Sequence, residues 1–289
     1  MPRANYDLPE ELLEKAIAKR RVIAFQLEKG GVGKTPFTFH FATTLAEAGC
    51  KVLCVDLDPQ GDLTTTVTRY AEAFREPFTR EELSMANTFS VFDDTAEPVP
   101  LKVSDNLDLM VGSPLLVGLQ GMSNDKMIML REFVQRPECD DYDFVFIDSP
   151  PTTGNYTTAG ALAASHIVIP VKPENYSEKA LRKHMRTINR LSVYNPGLKV
   201  LGVLITDVKR GVVIDDFYVS VIRGADEEAT GETQDMGKLA FSQVLHQRAD
   251  YKYSIDFATP LLRFKKSELA DEFYALVVEM LERMVAGDH

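Results

Sequence analysis

The chain is poor in the residues that build redox and metal centres. It has three cysteines in 289 residues, and Cys50, Cys54 and Cys139 form no C-x-x-C pair. An odd, scattered set of this kind reads as reduced thiols of a cytoplasmic protein, two of them packed in or beside a strand. Long apolar runs are missing as well. No stretch approaches the roughly 18 residues that span a membrane, and the N-terminus has no signal-peptide pattern, so the expectation is a cytosolic protein. Positive charge is also short: 32 Lys and Arg against 43 Asp and Glu give a net charge of −11. No global field attracts nucleic acid, and any contact with DNA has to come from a local basic patch. Internal repeats and low-complexity segments are absent.

What is present suits one large globular domain, with 45% hydrophobic and 26% charged residues and enough length for a well-covered core. Residues 1–21 are polar, with Pro9 opening an expected helix over Glu10–Lys19, and read as an N-terminal extension. Residues 22–289 read as a single domain. In it, apolar runs alternate with segments of helical period. Strands are expected at Val22–Leu27, Val52–Asp56, Leu107–Val111, Phe144–Asp148, Ile167–Val171, Val200–Thr206 and, more weakly, Ala240–Leu245. Helices are expected at Lys34–Ala48, Leu115–Gln135, Thr157–Ala164, Ser177–Val193, Val213–Arg223 and Ser267–Val285. Several strands are Val/Ile/Leu-rich with little alternation, as in strands buried on both faces. The pattern predicts an α/β fold with a mostly parallel twisted sheet flanked by helices on both faces. Residues 75–105, with Pro77, Pro98 and Pro100, read as a peripheral excursion.

After the first strand comes Glu28-Lys29-Gly30-Gly31-Val32-Gly33-Lys34-Thr35. Glycines let successive N–H groups turn toward phosphate oxygens, and the helix that follows adds the positive end of its dipole. In such a loop Lys34 reaches the β- and γ-phosphates and the Thr35 hydroxyl ligates Mg²⁺. A glycine turn with a chance Lys-Thr is the plain alternative, and the strand before and helix after speak against it. The strict pattern G-x-x-x-x-G-K-[ST] fails at its first glycine, where Glu28 stands.

The variant K-G-G-V-G-K-T resembles the ParA/Soj/MinD family of deviant Walker A ATPases, most closely the ParA-type DNA-partition ATPases, over nearly all of the chain after residue 21. The resemblance implies a P-loop NTPase fold, ATP and Mg²⁺ as cofactors, and slow, partner-stimulated hydrolysis. It makes Lys29 the extra lysine that crosses a nucleotide-sandwich homodimer to the partner's phosphates, a role akin to an arginine finger supplied in trans. Gly30, Gly31, Val32, Gly33, Lys34, Thr35 and Pro36 then cradle the nucleotide. The segment Val55-Asp56-Leu57-Asp58-Pro59-Gln60-Gly61-Asp62 resembles the family's V-D-x-D-P-Q-G-[ND] switch, which gives Asp56 the task of orienting the attacking water. Asp58 stands between a direct role and holding the turn. The strand Phe144–Asp148, followed by Ser149-Pro150-Pro151, resembles Walker B, with Asp148 at Mg²⁺ alongside Thr35. Catalysis is thus expected from Lys29, Lys34 and Asp56.

The chain also departs from the family. Pro36 stands where Thr or Ser is usual. It removes an N–H and a hydroxyl used on the α-phosphate, which implies weaker nucleotide binding. The family's I-P-R stretch is replaced by Val244-Leu245-His246-Gln247-Arg248. Thr206, Asp207 and His246 are the candidates for the adenine end, though His246 reads more readily as a surface loop histidine.

Two basic patches are candidates for DNA phosphates. Lys179, Lys183, Arg186 and Arg190 form a stripe on the helix expected at Ser177–Val193, opposite Leu181, Met185, Ile188 and Leu191. Arg263, Lys265 and Lys266 make the second. Each patch reads either as a DNA contact or as a solvated face. The resemblance implies a cytoplasmic, nucleoid-associated ATPase switch for plasmid or chromosome segregation. It would form a homodimer on ATP, bind nonspecific DNA and answer to a centromere-binding adaptor, with no membrane partner. The alternatives are a positioning ATPase for another cargo, a MinD-like regulator or a weakly hydrolysing scaffold. The acidic C-terminal helix argues against a membrane anchor. The cysteines do not pair as an iron–sulfur electron carrier requires.

Overall fold

The computed structural model describes residues 6–224, 237–263 and 267–288. Its centre is a seven-stranded sheet in the order β3-β4-β2-β5-β1-β6-β7. The strands are β1 (Arg21–Phe25), β2 (Val52–Asp56), β3 (Leu101–Lys102), β4 (Leu107–Met110), β5 (Phe144–Asp148), β6 (His166–Val171) and β7 (Lys199–Ile205). All pairings are parallel except β3 with β4. Strands β1, β2, β5 and β6 are buried at every position. That explains their unbroken apolar runs: a strand covered on both faces has no side on which to alternate polar residues.

Helices α1 (Glu10–Ile17), α2 (Lys34–Glu47), α3 (Asp62–Ala71), α4 (Arg80–Met85), α5 (Met129–Val134), α6 (Asn155–Ala163), α7 (Ser177–Leu191), α8 (Val213–Ile222), α9 (Ala249–Asp256) and α10 (Glu268–Ala286) cover the sheet. One apolar layer joins α2, α3 and α10 to the sheet, with Phe25, Phe41, Phe146 and Phe273 at its heart. Leu181, Ile188 and Leu130 belong to the layer on the opposite face, under α5, α6 and α7. Residues 6–17 lie along α10: the Tyr6 hydroxyl donates to Asp271 at 2.6 Å and the Tyr274 hydroxyl to the Asp7 carbonyl at 3.0 Å. Pro9 stands at the N-cap of α1.

Several elements differ from the sequence reading. The expected helix over Leu115–Gln135 is broken into two 3₁₀ segments, Pro114–Gly121 and Asn124–Ile128, before the short α5. Gly118 and Gly121 carry too little helix propensity to hold one long helix. A β-carbon at Gly118 would stand 3.0 Å from the Phe89 ring. The expected strand Ala240–Leu245 is reduced to isolated bridges beside β7, Val203 with Ala240 and Val208 with His246. The 75–105 excursion supplies β3, the antiparallel edge of the sheet, and α4, which opens on a capping box between Thr79 and Glu82.

Helix α3 escaped the sequence reading because Thr64, Thr65, Thr66 and Thr68 disfavour a helix. It forms because Leu63, Val67 and Tyr70 share one buried face. The Thr66 and Thr68 hydroxyls donate to the carbonyls of Asp62 and Thr64.

Candidate nucleotide site

The C-terminal ends of β1, β2 and β5 lie side by side in the sheet, where open α/β folds place their ligand crevice. From β1 the chain turns through Gly31 (φ 70°) and Gly33 (φ 98°), left-handed values that a side chain resists. Gly33 is the N-cap of α2, so the first helical N–H groups have no partner within the helix. Pro36, the third residue of α2, removes one of them without breaking the helix. The loop opens onto a cavity of about 910 Å³ lined by Gly30–Pro36 on one side and by Thr206, Asp207 and His246 on the other.

Lys34 is buried and its Nζ donates to the Lys29 carbonyl at 3.0 Å. Burial lowers its pKa, and the charges of Asp148 and Asp58 oppose that. Across the sheet, Asp56 and Asp148 are register partners at the ends of β2 and β5. The Thr35 hydroxyl donates to Asp148 Oδ2 at 2.5 Å, while Oδ1 is buried with no partner, as is the Ser149 hydroxyl. Burial, reinforced by the neighbouring Asp56 charge, raises the Asp148 pKa well above its ordinary value. A buried carboxylate with an open oxygen, next to a hydroxyl at the mouth of a phosphate-type loop, has the donor chemistry of a hard divalent cation. Among the described residues no group of three or more His, Cys, Asp or Glu side chains is placed to hold a metal alone. A cation here would share its coordination with ligand oxygens.

Asp56 is fixed from three sides. The Asp58 amide donates to Oδ1 at 3.0 Å, and the Thr64 amide and hydroxyl donate to Oδ2 at 2.9 and 2.7 Å. Burial nevertheless lifts its pKa to about 6. The Thr64 hydroxyl in turn accepts from the Gly112 amide at 2.8 Å. A β-carbon at Gly112 would stand 2.5 Å from the Asp56 carboxyl carbon. Thr64 and Gly112 were missed in the sequence. The only local signals were a hydroxyl in the first turn after the switch segment and a glycine just past a strand. Asp58 accepts from the Gln60 amide at 2.9 Å and so holds the Pro59–Gly61 turn.

Lys29 does not line the cavity. Its Nζ donates to the Ser177 hydroxyl at 3.1 Å and pairs with Glu174 at 3.3 Å, at the start of α7. At the far end, the Thr206 hydroxyl donates to the Val32 carbonyl at 3.2 Å and Asp207 pairs with Lys172 at 2.7 Å. His246 turns its Nδ1 to Glu272 at 2.8 Å, and its amide donates to the same carboxylate.

On α7, Lys179, Lys183, Arg186 and Arg190 are exposed. Lys183 is ion-paired at 2.7 Å with Glu28, the nearly buried residue that opens the phosphate loop. Arg263 is taken up inside the fold, pairing with Glu47 at 2.7 Å and standing 5.2 Å over the Tyr70 ring. Lys265 and Lys266 lie outside the described residues.

The family model described as an AAA domain matches residues 20–200. The chain is 33% identical over 190 residues to the chromosome-partitioning ATPase Soj of Thermus thermophilus, covering 65% of this chain and 70% of that protein. It is 26% identical over 277 residues to the chromosome partitioning protein ParA of Myxococcus xanthus, covering 91% of this chain and 88% of that one. Among solved structures it is similar to an AMPPNP-bound Borrelia burgdorferi B31 protein provisionally assigned to plasmid partition. That similarity has a TM-score of 0.73 and 19% identity, covering 93% of this chain and 100% of the other. At that identity the structural match speaks for the fold alone.

Proposed function

This chain belongs to the ParA/Soj/MinD family and is an ATPase, and from that premise we propose that it is an ATP-gated dimerising switch for DNA partition. The observation that carries the site is the Thr35–Asp148 hydrogen bond of 2.5 Å with the second Asp148 oxygen left open. We assign Mg²⁺ to this pair and the triphosphate to Gly30–Pro36 and Lys34. The metal would supply charge neutralisation on the phosphates. Lys34 binds and neutralises phosphate oxygens, and Asp56, held by Thr64 and Asp58, orients the attacking water. Lys29 has to leave Glu174 and Ser177 to act across a dimer interface. The AMPPNP in the Borrelia protein is consistent with ATP in this cavity.

In this reading residues 22–289 form the ATPase domain and residues 1–21 an extension whose described part, residues 6–17, lies along α10. Thr206, Asp207 and His246 are the proposed adenine-end contacts. The proposed DNA face is the α7 stripe of Lys179, Lys183, Arg186 and Arg190. Arg263, already engaged by Glu47, is the weaker candidate. A centromere-binding adaptor that speeds hydrolysis and a nucleoid address complete the proposal. Among the described residues no helix is long and apolar enough to cross a membrane. Helix α10 buries Leu276, Leu281 and Met284 against the core, which favours DNA over a lipid surface as the partner of the ATP state.

Fluorescence anisotropy on random duplex DNA, with and without ATP, tests the switch. Binding is expected with ATP only, and charge reversal at Arg186 and Arg190 should weaken it and flatten its salt dependence while leaving nucleotide affinity unchanged. Binding to anionic liposomes in place of DNA would reject the partition reading.

A further inference from the structure

Helix α9 opens on two donors that find no partner among the described residues. The Tyr251 hydroxyl is buried and makes no hydrogen bond, and Arg248 Nε, three residues earlier, is in the same condition. Arg248 Nη2 is shared between Glu268 and Glu272. Both residues line the cavity of the candidate site. Buried donors are nearly always bonded in folded proteins, so an orphan on a cavity wall points to an acceptor that arrives from outside.

The placement of Tyr251 says which part of a ligand that acceptor belongs to. Its ring lies against Phe37 (centroids 5.7 Å apart) and His40 (5.8 Å) on α2. Its oxygen would stand 3.5 Å from a β-carbon at Gly33. The hydroxyl therefore borders the stretch Gly33–Phe37, between the glycine turn and the base end. Pro36 contributes no amide donor in this stretch. Burial, with the Asp207 charge adding to it, raises the phenol pKa well above its ordinary value, so the group remains a donor. Shielding from water also strengthens a bond made there. Gly33 and the Phe37 ring are its near neighbours, so contact between the buried hydroxyl and a ligand would require this stretch to adjust.

We propose that Tyr251 is a nucleotide-binding residue whose hydroxyl donates to an oxygen at the junction of the sugar and the α-phosphate. This inference rests on the nucleotide reading of the cavity.

The test uses the full chain and Tyr251→Phe, which keeps the ring packing and removes only the oxygen. ADP and inorganic tripolyphosphate are titrated calorimetrically into both proteins. Loss of the hydroxyl is expected to weaken ADP about tenfold and to leave tripolyphosphate unchanged, because the latter has no sugar end. The thermal midpoint without nucleotide should stay the same or rise, since an unsatisfied buried hydroxyl has been removed. An ADP affinity unchanged within about twofold overturns the proposal. So does an equal loss for ADP and tripolyphosphate, which would mean that the substitution acts through the glycine turn. If the wild-type protein itself binds no ADP, the nucleotide reading falls first and Tyr251 falls with it.

Discussion

At Asp56 burial and hydrogen bonding pull in opposite directions. Three donors favour the carboxylate, yet loss of solvent wins and the pKa stands near 6 against an ordinary 3.8. In the window between those values the folded chain holds a proton that the unfolded chain has released. Asp56 therefore adds stability as pH falls below about 6, and that contribution is lost as pH rises through the folded value. Relative to Asp56→Asn, which cannot titrate, the wild-type chain should gain about 1 kcal/mol of unfolding free energy between pH 7.5 and pH 5. Urea denaturation at the two pH values checks the sign, and drift the other way refutes it. Gly112 matters for the same carboxylate. Because a β-carbon there would meet Asp56 at 2.5–2.8 Å, Gly112→Ala should lower turnover at least about tenfold with ADP affinity retained. Phosphate-release and titration measurements separate the two effects, and unchanged turnover would show that Asp56 tolerates displacement.

At the scale of elements, the phosphate loop and α7 are tied together. Lys29 reaches Ser177 and Glu174 at the start of α7, and Glu28 holds Lys183 one turn and a half further on. Glu28 places a carboxyl group beside the loop proposed to receive phosphates, and it occupies one cation of the proposed DNA stripe. Glu28→Gln is therefore expected to tighten ATP severalfold. It should also steepen the salt dependence of DNA binding by about one unit as Lys183 is released to phosphate. A parallel salt titration of the two proteins decides; identical slopes would mean that Lys183 stays solvated. The elements themselves were legible in proportion to how local their causes are. β2 and β5 were read residue for residue because a doubly buried strand leaves an unbroken apolar run. The Leu115–Gln135 helix failed because its apolar content was legible while the glycines that break it carried the decision. Helix α3 was invisible because its threonines argue locally for extended chain, and only packing of Leu63, Val67 and Tyr70 overrides them.

Over the whole molecule, a net charge of −11 makes any DNA binding a property of one face and a matter of ionic strength. A switch of this kind predicts a change of assembly. The chain should be monomeric alone and dimeric with ATP and Mg²⁺, and EDTA should abolish the dimer by removing the cation proposed for Thr35 and Asp148. Light scattering after size exclusion measures this, and a dimer that survives chelation argues against a metal-bridged nucleotide at its core.

The sequence by itself determined the glycine turn, the two acidic strand ends and the parallel α/β order, because each is written in a contiguous stretch whose backbone or burial demands are local. Tertiary structure alone decided what surrounds them. Thr64 and Gly112 frame Asp56, Glu174 and Ser177 hold Lys29, and Tyr251 comes to Gly33 from more than two hundred residues away. Such partners are chosen by packing across the sheet and its helices, and no spacing along the chain encodes a contact that only folding creates.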